Sequence, residues 1–152
     1  MASSYHVFEA AAQIEEVCAL IYREAARRFA GDEGVRALFA RLEEEEEQHA
    51  MRVRLLAARY RGDPSRFDLA VMPRLQDLEA LAEAANAEYA AFRNGEWPAE
   101  LERVKAHLAD LERRFAAMHA QFLAPGADPQ VAAFFALLSE QDRAHDRLLS
   151  GS

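Results

Sequence analysis

Three of the chain's long apolar stripes are each broken by an acid at a position where helix packing asks for hydrocarbon. The first runs through Phe8, Ala11, Glu15, Cys18, Tyr22, Ala25 and Phe29, and the second through Phe39, Leu42, Glu46, His49, Val53, Leu56 and Tyr60. The third runs through Val131, Phe135, Leu138, Asp142, His145 and Leu149. Residues spaced alternately three and four apart share one face of an α-helix, so each set is a packing seam. Burying an unpaired carboxylate costs several kcal/mol, and an acid in such a seam therefore calls for a cation or a proton.

Two of the seams contain the same motif. Phe39 to His49 and Phe135 to His145 both read Phe-x-x-Leu-x-x-x-acid-x-x-His, with Glu46 and Asp142 as the acids. On a helix, positions i and i+3 lie on one face, so each copy aims a carboxylate and an imidazole at one point. A single pair of this kind is a weak signal, but two copies in the same setting suggest half of a two-metal site each.

The chain's punctuation places these seams on helices. Alanine, leucine, glutamate and arginine dominate, and glycine and proline fall at discrete breaks, which is all-α composition. Gly31-Asp32 closes a first helix of about 4 to 30 and N-caps a second of about 33 to 61, which Gly62-Asp63-Pro64 ends. Pro73 opens a third that stops near Asn94-Gly95, and Pro98 opens a fourth that ends at Pro125-Gly126. Asp128-Pro129 caps the fifth.

The fourth helix supports two readings. Leu101, Val104, Leu108, Leu111, Phe115, Met118 and Phe122 form a fully apolar stripe, and beside it runs Leu108, Glu112, Phe115, His119 and Phe122. The second reading parallels the first helix, because His119 follows Glu112 by seven residues as Tyr22 follows Glu15. Glu46 lies 31 residues after Glu15, and Asp142 lies 30 after Glu112. The chain thus reads as one domain, 1 to 152, of two similar helical hairpins, 4 to 61 and 98 to 150. A crossover, 62 to 97, joins them and carries the third helix, whose stripe of Leu75, Leu78, Ala82, Ala85, Tyr89 and Phe92 no acid interrupts. A helix of about 20 residues rises roughly 30 Å, enough to carry the chain back so that helices two and four run parallel. That stripe covers either the bundle or a partner subunit.

Composition narrows the function. A net charge of −8 argues against nucleic acid or an anionic membrane surface as partner. The single cysteine, Cys18, excludes an internal disulfide framework and a rubredoxin-type iron site, and suits a reducing compartment. No segment reaches the roughly 20 apolar residues of a membrane span, and the start lacks a signal-peptide pattern, so the expectation is a soluble, cytoplasmic protein.

With these residues in place, the chain resembles the ferritin-like superfamily and is nearest the rubrerythrin type of carboxylate-bridged di-iron protein. That resemblance covers both hairpins and leaves 62 to 97 unaccounted for. It implies a four-helix bundle in which two helices give one Glu each and the other two give a Glu-x-x-His. Carried over residue by residue, Glu15 and Glu112 are the lone acids, while Glu46 with His49 and Asp142 with His145 are the paired ones. Two iron ions are the implied cofactor, with manganese or zinc as substitutes, since oxygen and nitrogen ligands without thiolates suit such metals. The implied activity is oxidation-reduction with peroxide or dioxygen, or oxidation of ferrous iron, served by an external electron donor in a homodimer. A non-catalytic, iron-handling protein with the same site is the alternative.

The chain departs from that family in three ways. Asp142 is one methylene shorter than the expected Glu, which puts its ability to bridge in doubt. Phe115 stands where rubrerythrins carry another acid, tilting the expectation toward a ferroxidase or oxidase, and no rubredoxin domain accompanies the bundle. Several local alternatives also stay open: Glu16 for Glu15 if the first helix is rotated, and Glu79 or Glu83 for Glu112. Four of the five acids in Glu43 to Glu47 read as a solvated face, leaving only Glu46 on the seam. Tyr22 and His119, about two turns from the lone acids along their own helices, read as core packing or as outer hydrogen-bond partners. Cys18 reads as a buried inert thiol, and His6 and His107 carry no usable pattern.

Overall fold

The computed structural model describes residues 4–61 and 71–151, and among them it is helical without a strand. Five α-helices follow in order: α1 (Ser4–Arg28), α2 (Glu33–Tyr60), α3 (Leu75–Arg93), α4 (Leu101–Ala120) and α5 (Pro129–Ser150). The expected stop at Gly62-Asp63-Pro64 lies outside the described residues. None of the described helices is long and apolar enough to cross a membrane.

Capping chemistry sets several of the boundaries. The Asp32 side chain accepts from the Val35 amide at 3.1 Å and starts α2, and Asp128 accepts from the amides of Gln130 and Val131 with Pro129 in the first turn of α5. Each aspartate satisfies backbone donors that the first helical turn leaves free. The fourth helix begins at Leu101, three residues later than Pro98 suggests, because Trp97 is buried in the connection. Its indole stacks on Phe92 with centroids 4.2 Å apart and donates to Glu88 at 3.1 Å, and His107 meets the same carboxylate at 2.8 Å. His107, without a pattern in the sequence, thus helps fasten the start of α4 to the end of α3.

Named contacts fix the helix directions. Arg54 pairs with Glu9, and Arg23 with Glu43, so α1 and α2 form an antiparallel hairpin. Arg113 pairs with Asp146, and Ser139 donates to the Ala116 carbonyl, so α4 and α5 form another. Between hairpins, Tyr22 meets Glu112 while His119 meets Glu15. Two residues that each follow their own acid by seven can reach across to the other's acid only if α1 and α4 run antiparallel. It follows that α2 and α4 run parallel, as the long crossover implies. The crossover helix α3 packs on α1, with Leu78, Ala82, Ala85 and Phe92 buried, and Arg28 donates to the Phe92 carbonyl with its guanidinium 4.5 Å from that ring. Its apolar stripe therefore covers this chain's own first helix.

Both stripes of α4 are buried apart from the half-buried Leu101, the apolar one and the one carrying Glu112 and His119. At one end of the core Phe122 stacks on Phe135 with centroids 3.7 Å apart, and Phe8 lies 6.1 and 6.2 Å from these two rings. Removing the fully buried Phe135 opens a cavity at this three-ring junction, so Phe135→Ala is expected to cost about 3–5 kcal/mol in urea unfolding. Leu55→Ala, at a side chain 62% exposed, is expected to fall within about 0.5 kcal/mol of the parent.

Candidate metal centre

Where the hairpins meet, four carboxylates and three imidazoles share a site that solvent barely touches. Glu15, Glu46, Glu112, Asp142 and His119 are fully buried, and His49 and His145 nearly so. All six residues expected from the sequence are brought together. Glu16 is turned outward and pairs with Arg54, while Glu79 and Glu83 are exposed, so the competing acids are set aside.

The donors fall into two quartets. Glu15, Glu46, His49 and Asp142 offer one atom each within 4.8 Å of one another, and so do Glu46, Glu112, Asp142 and His145. Glu46 and Asp142 belong to both. The acids of the two repeated motifs are thus shared, while each lone acid and one histidine belong to one quartet. The shorter Asp142 still belongs to both groups.

Hydrogen bonding leaves much of this cluster unsatisfied. Both oxygens of Glu15 and of Glu46, one oxygen each of Glu112 and Asp142, and the ring atoms His49 Nδ1 and His119 Nε2 are buried without a hydrogen bond. His119 Nε2 lies 2.5 Å from Glu15 Oε1, and His49 Nδ1 lies 3.4 and 3.7 Å from Glu46 and Glu15, all outside hydrogen-bond geometry. Buried polar atoms are ordinarily paired, and orphans gathered around two points ask for something to bind them. Buried oxygen and nitrogen donors that converge in this way could hold metal ions.

Around the donors the two halves repeat each other. The Tyr22 hydroxyl donates to Glu112, and Tyr22 packs on Phe39 with centroids 6.4 Å apart. In the matching place His119 hydrogen-bonds Asp142 through Nδ1 and packs on Phe135 at 5.7 Å. Apolar rings therefore close the cluster at both ends, which keeps water away and strengthens the interactions inside. Of the two roles read from the sequence, core packing and hydrogen bonding to the acids, Tyr22 and His119 show both. His119 goes further, reaching both Glu15 and Asp142. Cys18 is buried, and burial followed by the surrounding carboxylates pushes its thiol well above the ordinary range, consistent with an inert group.

One member of the acidic run was missed. Glu45 is one-third exposed, but its Oε2 lies 2.7 Å from His145 Nε2 while Arg41 bonds its other oxygen at 3.2 Å. Its place one residue before Glu46 gave no sign of this contact, because the partner stands 100 residues away. The other imidazole nitrogen of His145 faces inward, 2.9 Å from Glu46 and 3.2 Å from Glu112.

Without a metal, protons take over the charge balance. Burial and the charges of Glu112 and Glu15 push the Glu46 carboxyl up, and burial outweighs His119 in raising Asp142 to about 7. For Glu15, burial is outweighed by the charge of His119 and the other imidazole beside it, and its carboxyl is held low. Burial opposes the charged form of His49 and His145, but their carboxylate neighbours win and raise them to about 10 and about 11. Metals need these ligands free of protons.

Two outcomes follow. Raised histidine and carboxyl values contribute stability that is present at low pH and lost as pH rises toward the folded values, so the metal-free chain should unfold at lower temperature at pH 9.5 than at pH 7. A melt by circular dichroism in chelator tests this. Metal uptake at pH 7 should release about two or more protons per chain, measured in weakly buffered indicator solution.

Comparisons with family models, with curated proteins and with solved structures gave no match to this chain.

Proposed function

We propose that the chain is a ferritin-like, rubrerythrin-type di-iron oxidoreductase acting on peroxide or dioxygen. The observation that carries this reading is the pair of buried quartets sharing Glu46 and Asp142. Two metal positions joined by two common carboxylates match the ligand plan of carboxylate-bridged di-iron bundles, with one lone acid and one histidine completing each position. Four carboxylates also balance the charge of two divalent ions.

The chain's own residues would divide the work. Glu15 and His49 would hold one ion and Glu112 and His145 the other, with Glu46 and Asp142 within reach of both. The Tyr22 hydroxyl fixes Glu112, and His119 fixes Asp142 against Glu15. The rings of Phe39 and Phe135 exclude water from either end. Bound iron would supply the redox chemistry. Access is available through a cavity of about 280 Å³ that His49 and His145 line, between α2 and α5. The resemblance adds an external electron donor and a homodimer to this proposal.

A specific observation favours oxidation of ferrous iron, or a non-catalytic iron-handling role, over an efficient peroxidase. Phe115 is fully buried where a second, movable acid would stand, and Asp142 is tied to His119. The ligand set thus has little freedom to rearrange between oxidation states.

Anaerobic loading followed by metal analysis tests the reading. About two iron atoms per chain are expected, with oxo-to-iron absorption appearing on oxidation, and stopped-flow turnover should be faster with ferrous iron and dioxygen than with peroxide and a reductant. Less than about one iron per chain would refute the di-iron assignment; two irons without turnover would leave the iron-handling role. Glu46→Ala should remove metal binding while the far-ultraviolet spectrum stays helical, because it deletes a ligand common to both positions.

A further inference from the structure

The two quartets have the same composition, three carboxylates and one imidazole each, so any difference between the positions comes from the groups behind the ligands. Those groups differ. In the repeated motif, Glu45 precedes Glu46 and Gln141 precedes Asp142, and both side chains line the cavity outside the two histidines. Glu45 Oε2 sits 2.7 Å from His145 Nε2. In the neutral imidazole that a metal would require only one nitrogen carries hydrogen, so this bond would keep the hydrogen on Nε2 and free Nδ1, which faces Glu46 and Glu112, for a metal. Gln141, its counterpart in the repeat, is uncharged, and its Oε1 is buried without a hydrogen bond among the described residues.

A carboxylate behind a ligating histidine fixes its orientation and makes it a stronger donor, whereas an amide supplies no charge. Asp142 is common to both quartets, so its bond to His119 does not distinguish them.

Resting on the dimetal reading above, we propose that Glu45 is a positioning residue that makes the two positions unequal, so that the one held by His145 and Glu112 binds metal more tightly than the one held by His49 and Glu15. Filling is then sequential. The chain carries one standing ion and one more readily exchanged, the latter at the position held by His49 and Glu15. Arg41 holds Glu45 from the outside at 3.2 Å, which keeps the carboxylate aimed at His145.

Cobalt(II) titration of the full chain under anaerobic conditions, followed by the visible absorption of the bound ion, tests this. Wild type should take two ions in two resolved steps. Glu45→Gln should weaken the first step by about 10- to 100-fold and leave the second within about twofold. Glu45→Asp should recover part of the loss, and Gln141→Glu should strengthen the second step. In a His145→Ala chain, Glu45→Gln should add no further loss, a result that a merely structural role for Glu45 would not give. Unchanged two-step binding in Glu45→Gln, or its full effect persisting without His145, would overturn the proposal while the dimetal reading stands. A wild-type chain that takes no cobalt would overturn both.

Discussion

Four carboxylates buried within reach of one another are the constraint on which the rest of the structure depends. Like charges in a dry interior repel strongly, and every packed residue around Glu15, Glu46, Glu112 and Asp142 would be more stable around hydrocarbon. The chain nevertheless builds two antiparallel hairpins to place these acids at their common interface. Protons on Glu46 and on the histidines balance the charge when nothing else does, and the unpaired oxygens show how incomplete that balance is. A cluster stabilised only in part by its own protons is prepared for cations.

The arrangement around the acids is a near-repeat about an axis between the hairpins. Glu15 answers Glu112, Glu46 answers Asp142, His49 answers His145, and Phe39 answers Phe135. The differences that touch the acids and histidines include Tyr22 against His119, Glu46 against the shorter Asp142, and Glu45 against Gln141. The first two bear on each other. Asp142 loses a methylene of reach, and His119 occupies the place from which a ring can hold it beside Glu15. Symmetry thus supplies two donor quartets that could hold metal ions, and its breaking supplies the means to tell them apart.

Much of this was legible in the sequence because buried charge on an apolar seam is conspicuous. Glu46 and His49, or Asp142 and His145, stand out as soon as the helical period is laid on the chain, and nearly equal spacing then leads to Glu15 and Glu112. His119 was harder. Its seven-residue distance from Glu112 measures separation along one helix, whereas its contacts lie on α1 and α5. Glu45 was hidden by its neighbours in a run of five acids, and only the fold brings His145 to it. The late start of α4 depended on burial of Trp97, and the target of the α3 stripe depended on how the crossover lies against α1. Periodicity reveals which face a residue takes; it does not reveal what stands opposite.

Anomalous diffraction at the iron absorption edge, from crystals loaded with ferrous iron without oxygen, addresses the central claim most directly. Two peaks about 3.5–4 Å apart are predicted, both between Glu46 and Asp142, one beside His49 and the other beside His145. No peak among these side chains, or iron only on the exposed acids of α2, would contradict it.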